Sequence, residues 1–187
     1  LDAAESAAVA WEMLPELWSE RARVLLLGQA PVAAVAAWRR ALAHTESDRH
    51  LSYRADLLAN LAQTLLRCDH PERLAEAGAT AREALRCLPA DSGPSTTAFV
   101  RGVLGLVLAE SDPVHLGEAI VLLDEALRLP ASPLCLTHAT GLRLALVVAY
   151  RRNRQLAEAR HHLGVVLTEP GILADVDLAL DAVGRVL

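Results

Sequence analysis

LGEAIVLLDEALRLP, residues Leu116 to Pro130, decides how the rest of the chain is read. Leu116, Ile120, Leu123 and Leu127 are apolar and three or four residues apart, and Ala119 and Ala126 share their side. That spacing forms one stripe along an α-helix. The same pattern occurs upstream in LAEAGATAREALRCLP from Leu74 and downstream in LAEARHHLGVVLTEP from Leu156. A fainter copy, PVAAVAAWRRALA, begins at Pro31. Aligning Ala41, Ala84, Ala126 and Val166 gives steps of 43, 42 and 40 residues. A period of this size marks an array of helical repeats, in which each unit covers the apolar stripe of the next.

The helix before each copy repeats too. NLAQTLL from Asn60, VLGLVLA from Val103 and RLALVVA from Arg143 hold matching places. In each a Leu (Leu61, Leu104, Leu144) precedes a small residue (Ala62, Gly105, Ala145). The small residue lets a second helix approach closely, and Ala77, Ala119 and Ala159 do the same from the other side. Prolines punctuate the array: Pro15, Pro31, Pro71, Pro113 and Pro133 each precede an amphipathic run, where a first-turn Pro loses no hydrogen bond. Asp112 and Ser132 stand before two of these runs as expected N-caps. The helices are therefore expected near 2–13, 15–28, 31–45, 49–68, 71–88, 95–110, 113–129, 133–152, 154–168 and 171–187. The loop PADSGP, Pro89 to Pro94, is made of turn-forming residues throughout. The repeat phase runs across it, so one helical-repeat domain over 1–187 is expected.

Composition agrees with helices packed through small side chains. Of 187 residues, 53% are hydrophobic, mostly Ala, Leu and Val, and only 3% are aromatic. The net charge of −5 offers no basic field to nucleic acid. All 18 cationic residues are Arg, which codon bias in a GC-rich genome accounts for. Cys68, Cys87 and Cys135 show no metal-ligand spacing and are odd in number, so reduced thiols in a cytoplasmic protein are expected. The longest uncharged run, Val24 to Trp38, is too short for a membrane span and is interrupted by Gly28 and Pro31. The chain opens on Leu, as expected of a piece of a longer protein.

The paired helices resemble the tetratricopeptide repeat. The residues that carry the likeness are Leu104, Gly105, Leu108, Ala119, Leu123, Ala126 and Pro130 in the middle unit. Before it stand Leu61, Ala62, Leu65, Ala77, Ala81, Ala84 and Pro89, and after it Leu144, Ala145, Val148, Ala159, Leu163, Val166 and Pro170. The period departs from the family's 34, and the first-helix aromatics are largely missing. This longer style is similar to divergent repeats in large actinobacterial proteins. The resemblance implies an all-α, right-handed α-solenoid of stacked antiparallel helix pairs. Its units would span about 15–47, 49–89, 95–130 and 133–170, with a terminal helix over 171–187.

No catalytic motif is present. There is no phosphate-cradling GxxxxGK[ST] or GxGxxG loop and no GxSxG elbow. Glu158 with His161 or His162 has two-ligand spacing but no third ligand nearby. The chain is therefore read as a non-enzyme with no cofactor and no metal. Arg39–Arg40 and Arg151–Arg152–Arg154 form small basic clusters that helix C-termini account for. Trp11, Trp18 and Trp38 lie in the N-terminal quarter and are expected to pack a local core.

The tetratricopeptide resemblance implies that the first helix of each pair lines a concave face. That places Asn60, Gln63 and Arg67 on the wall from one unit, then Phe99, Gly102, Leu106 and Glu110, then Leu142, Arg143, Leu146 and Tyr150. The family's carboxylate clamp is not reproduced. The expected function is a protein-protein interaction scaffold holding a peptide or partner domain, with neither nucleic acid nor membrane as partner. The alternative is a structural or sensory repeat segment of a larger signalling ATPase or caspase-like peptidase protein. The last helix, ILADVDLALDAVGRVL, reads as half of a pair, so a homodimer through it is a further expectation.

Overall fold

A computed structural model describes residues 14–45, 50–68, 70–129 and 136–168. The described residues form eight α-helices and one short 3₁₀ turn, with no strand among them. The helices are α1 (Leu14–Leu27), α2 (Pro31–Ala43), α3 (Leu51–Leu66) and α4 (Pro71–Cys87), followed by α5 (Pro94–Glu110), α6 (Leu116–Arg128), α7 (Leu136–Arg152) and α8 (Leu156–Thr168). The described residues are therefore all-α, as the periodicity requires. The expected helices at 2–13 and 171–187, with Trp11, Ser132 and Cys135, lie outside the described residues.

Proline sets the starts of α2, α4 and α5, at Pro31, Pro71 and Pro94. Pro113 behaves differently from the expectation, opening a 3₁₀ turn (Pro113–His115) before α6 begins at Leu116. Asp112 is the cap that its position indicates, since its Oδ1 accepts from the Val114 N–H at 3.0 Å. Between α1 and α2 the chain reverses at Gln29, whose φ of 57° is the left-handed turn ending a helix. Arg154 does the same between α7 and α8, with φ 61°.

Two compact units divide the chain, Leu1–Ser92 and Gly93–Leu187. The boundary falls in the loop PADSGP, which the repeat phase ignores.

In the first unit α1 packs on α2, α2 on α3, and α3 on α4. Trp38 is the hinge of this packing. It is completely buried, and its indole Nε1–H donates to Thr64 Oγ1 on α3 at 3.0 Å. Thr64 in turn donates to the Asn60 carbonyl at 2.7 Å, so a polar chain crosses the α2–α3 contact with each hydroxyl atom used. Ala34, Ala41, Ala55, Ala62, Ala77, Ala81 and Ala84 are all fully buried. Trp18, on α1, is half-buried beneath the Arg40 guanidinium, 4.5 Å from its ring centre. The expected tryptophan core thus holds for Trp38, while Trp18 sits at its edge under a cation.

The second unit pairs α5 with α6 and α7 with α8, and α7 also packs on both α5 and α6. The α5–α6 crossing is tight at Gly105. A Cβ built there would lie 2.8 Å from Leu123 Cγ and 3.2 Å from the Ala119 carbonyl oxygen. The Leu–small pair in the repeat is therefore a steric requirement at this crossing. Leu123, Ala126, Leu142, Ala145, Leu146, Tyr150 and Ala159 form one buried cluster, with Leu106, Ile120 and Leu127 packed against it. Arg152, at the end of α7, donates to the Ala109 carbonyl and, at 2.7 Å, to that of Ser111. It satisfies carbonyls that the end of α5 leaves without helical partners. The basic cluster at Arg151–Arg154 thus has one member committed to the fold.

Candidate functional site

The residues aligned as an inner wall have different fates in the two units. On α3, Asn60 and Gln63 are half-buried and Arg67 is exposed. Asn60 Nδ2 donates to the Asp56 carbonyl at 2.8 Å and to its Oδ2 at 3.1 Å. Burial pushes the Asp56 carboxyl above the ordinary carboxylate range, against the pull of Arg23.

On α5, Phe99 and Leu106 are half-buried, Gly102 is buried and Glu110 is exposed. On α7, Leu142 and Leu146 belong to the core cluster at 2% and 0% exposure, and Tyr150 joins them at 8%; Arg143 is half-buried. The physical reason is that α7 packs against α5 and α6 together, so two neighbours share its apolar stripe. Leu146 and Tyr150 are consequently placed in the interior of this unit.

Tyr150 also carries a polar edge. Its hydroxyl donates to Asp124 Oδ2 at 3.3 Å, and its ring stacks on His162 with centroids 5.5 Å apart. Burial and the adjacent Asp124 carboxylate raise the Tyr150 hydroxyl's pKa. Burial lowers that of His162, more strongly than Asp124 raises it. His161 is exposed and meets His162 edge-on. Among the described residues no three His, Cys, Asp or Glu side chains are grouped to hold a metal ion.

The first unit contains a cleft of about 710 Å³, and Arg67 is on its wall. Pro31, Val32 and Arg39 line it from α2. Arg67 and Cys68 line it from the end of α3, and His70, Glu72, Arg73 and Glu76 from the turn and the start of α4. In its lining Glu76 accepts from Arg39 through Oε1 and from Arg73 Nη1 through Oε2, the latter at 3.1 Å. Burial raises the Glu76 carboxyl, but the hydrogen bonds and charges of Arg39 and Arg73 together outweigh it and hold its pKa below the usual value. Cys68, nearly buried, has a free thiol whose sulfur lies 3.7 Å from the Thr64 carbonyl oxygen. Val32 is 66% exposed at the rim.

Only Arg67 of this cleft was indicated by repeat alignment. Arg39 reads in sequence as a helix-end cation, whereas it is paired across the α2–α4 gap to a residue 37 positions away. No local pattern marks such a pairing. No described helix is long and apolar enough to cross a membrane. Neither the family models, nor the curated proteins, nor the solved structures contain a match to this chain.

Proposed function

We propose that the chain is a tetratricopeptide-like helical-repeat module, an α-solenoid built of hairpins, that binds a peptide or partner domain and catalyses no reaction of its own. The observation that supports this reading best is the open cleft of the first unit, whose lining combines exposed Arg67 and Val32 with paired charges. A mixed lining of this kind offers a partner both polar and apolar contacts. The close crossing at Gly105 supports the repeat assignment, because it falls where the tetratricopeptide pattern requires a small residue. The free thiols of Cys68 and Cys87 suit a cytoplasmic setting. For the second unit, burial of Leu146 and Tyr150 favours a structural role for that part of the wall.

Peptide display against the immobilised chain tests the reading. The expected result is enrichment of related peptides that Val32→Asp and Arg67→Glu no longer retain, with the melting curve unchanged. Selection that enriches nothing above an unrelated helical protein would refute it.

A further inference from the structure

We propose that the cleft formed by α2, α3 and α4 seats an acidic segment of a partner protein, whose side-chain carboxylate is held by Arg67 next to Arg39 and Arg73. The proposal rests on the peptide-binding reading above and gives its ligand a chemistry.

Charge is the first argument. The chain as a whole is acidic, with a net charge of −5, yet among the described residues the cleft's lining holds Arg39, Arg67 and Arg73 with Glu72 and Glu76. The described lining is thus richer in cations than the chain as a whole, which favours an anionic ligand here. Glu72 is 89% exposed, so water screens its charge more than that of Glu76. Glu76 is the one acid embedded among the arginines, and it must serve two of them.

Donor capacity is the second argument. A guanidinium carries five N–H donors in a rigid fork. Arg39 and Arg73 each give a donor to Glu76, one to each carboxylate oxygen. Arg67 is exposed at the C-terminal end of α3 and makes no ion pair among the described residues. An incoming carboxylate can take a bidentate pair from Arg67 and be stabilised by the neighbouring guanidiniums without displacing Glu76.

Shape favours a peptide over a small anion. A volume of about 710 Å³ is far larger than one carboxylate needs, and Pro31 and exposed Val32 add an apolar contact to its lining. A segment with an acidic residue flanked by an aliphatic one matches both kinds of contact. Polyanionic nucleic acid is disfavoured by repulsion from the acidic remainder of the chain.

Fluorescence anisotropy on the full chain tests this, using four fluorescein-labelled pools of degenerate peptides about ten residues long. The pools differ only in a fixed central pair, Asp–Asp, Asn–Asn, Lys–Lys or phosphoserine–phosphoserine, and a single-stranded oligothymidine of similar length is the fifth probe. The expected result is that the Asp–Asp pool binds at least about tenfold more tightly than Asn–Asn and that Lys–Lys does not bind. Added salt should weaken that binding. Arg67→Glu should weaken it by about tenfold or more with an unchanged melting curve, and Glu76→Gln should strengthen it severalfold, because Arg39 and Arg73 are then unneutralised. Two results would overturn the acidic assignment while leaving a peptide-binding module: equal binding of the Asn–Asn pool, or acidic binding indifferent to both substitutions. A phosphoserine pool preferred over Asp–Asp by more than about tenfold would replace the carboxylate with a phosphate. Oligothymidine binding without peptide binding, or no binding of any probe, would overturn the proposal and the peptide reading together.

Discussion

Gly105→Ala adds a single methyl group at the crossing of α5 and α6, and the structure sets its consequence. The new Cβ would stand 2.8 Å from Leu123 Cγ, 3.1 Å from its Cδ2 and 3.2 Å from the Ala119 carbonyl oxygen. Ordinary contacts begin at 3.4 Å, so the helices must part by more than half an ångström at this point. Leu123 cannot relieve the clash by turning its end, because the atom struck is the branch point of a side chain with no exposed surface. Overpacking of this kind costs about 1–3 kcal/mol, and the backbone contact places it in the upper half. Helix propensity offsets about 1 kcal/mol, since Ala replaces Gly in a helix interior. The net expectation is a loss of about 1–2 kcal/mol. Gly164 is the control: it lies in α8, exposed, with nothing within 4 Å of a built Cβ, so Gly164→Ala should gain about 0.5–1 kcal/mol. Urea unfolding followed by helical ellipticity reads both. With a slope near 2 kcal/mol/M, Gly105→Ala lowers the midpoint by about 0.5–1 M at unchanged slope, and Gly164→Ala raises it. In a Leu123→Ala background the Gly105→Ala penalty should largely vanish, as expected of two residues in direct contact. If Gly105→Ala stabilises as Gly164→Ala does, the close crossing is not where the repeat alignment and the geometry put it.

Ala126→Arg should destabilise by more than about 3 kcal/mol, because it overpacks a site 3% exposed against Leu142 and Ala145 and buries a charge; a melting temperature within a degree or two of the parent would contradict this. Thr64→Val removes the acceptor of the buried Trp38 N–H and should lower stability by about 1–3 kcal/mol in a denaturant titration. Two carboxyls give opposite pH dependences. Asp56 has a raised folded pKa, so the native state binds its proton more tightly than the unfolded chain does, and its contribution to stability grows as pH falls through that folded value. Asp56→Asn should accordingly stabilise at neutral pH, and the gain should shrink on acidification. Glu76 has a lowered folded pKa, so its contribution is present above the unfolded carboxylate value and is lost as pH falls through the folded one. A Glu76→Gln variant should therefore be less stable than the parent at neutral pH and converge on it in acid, and parallel stability-pH curves would refute the Arg39–Glu76–Arg73 cluster.

Helix identity, most limits of the described helices and the tight crossing were legible in the residues because they depend on separations of three or four positions. Leu116, Ala119, Leu123 and Ala126 share one stripe whatever the helix packs against, and Pro31 and Pro71 start helices through local sterics alone. Even Gly105 was marked, because a small residue after Leu in every first helix has a local pattern and one steric use. Other features were decided only in three dimensions. Leu146 and Tyr150 are interior because α7 meets α5 as well as α6, and no periodicity records how many neighbours a stripe will have. Arg39, Arg67 and Arg73 come together from three helices, and Arg152 finds carbonyls 41 and 43 residues away. A long charged side chain has the same local pattern whether it points to solvent, to an acid or to a cleft. The rotation of each helix about its own axis selects among these, and that rotation is set by the fit of the small buried residues against the neighbouring helix.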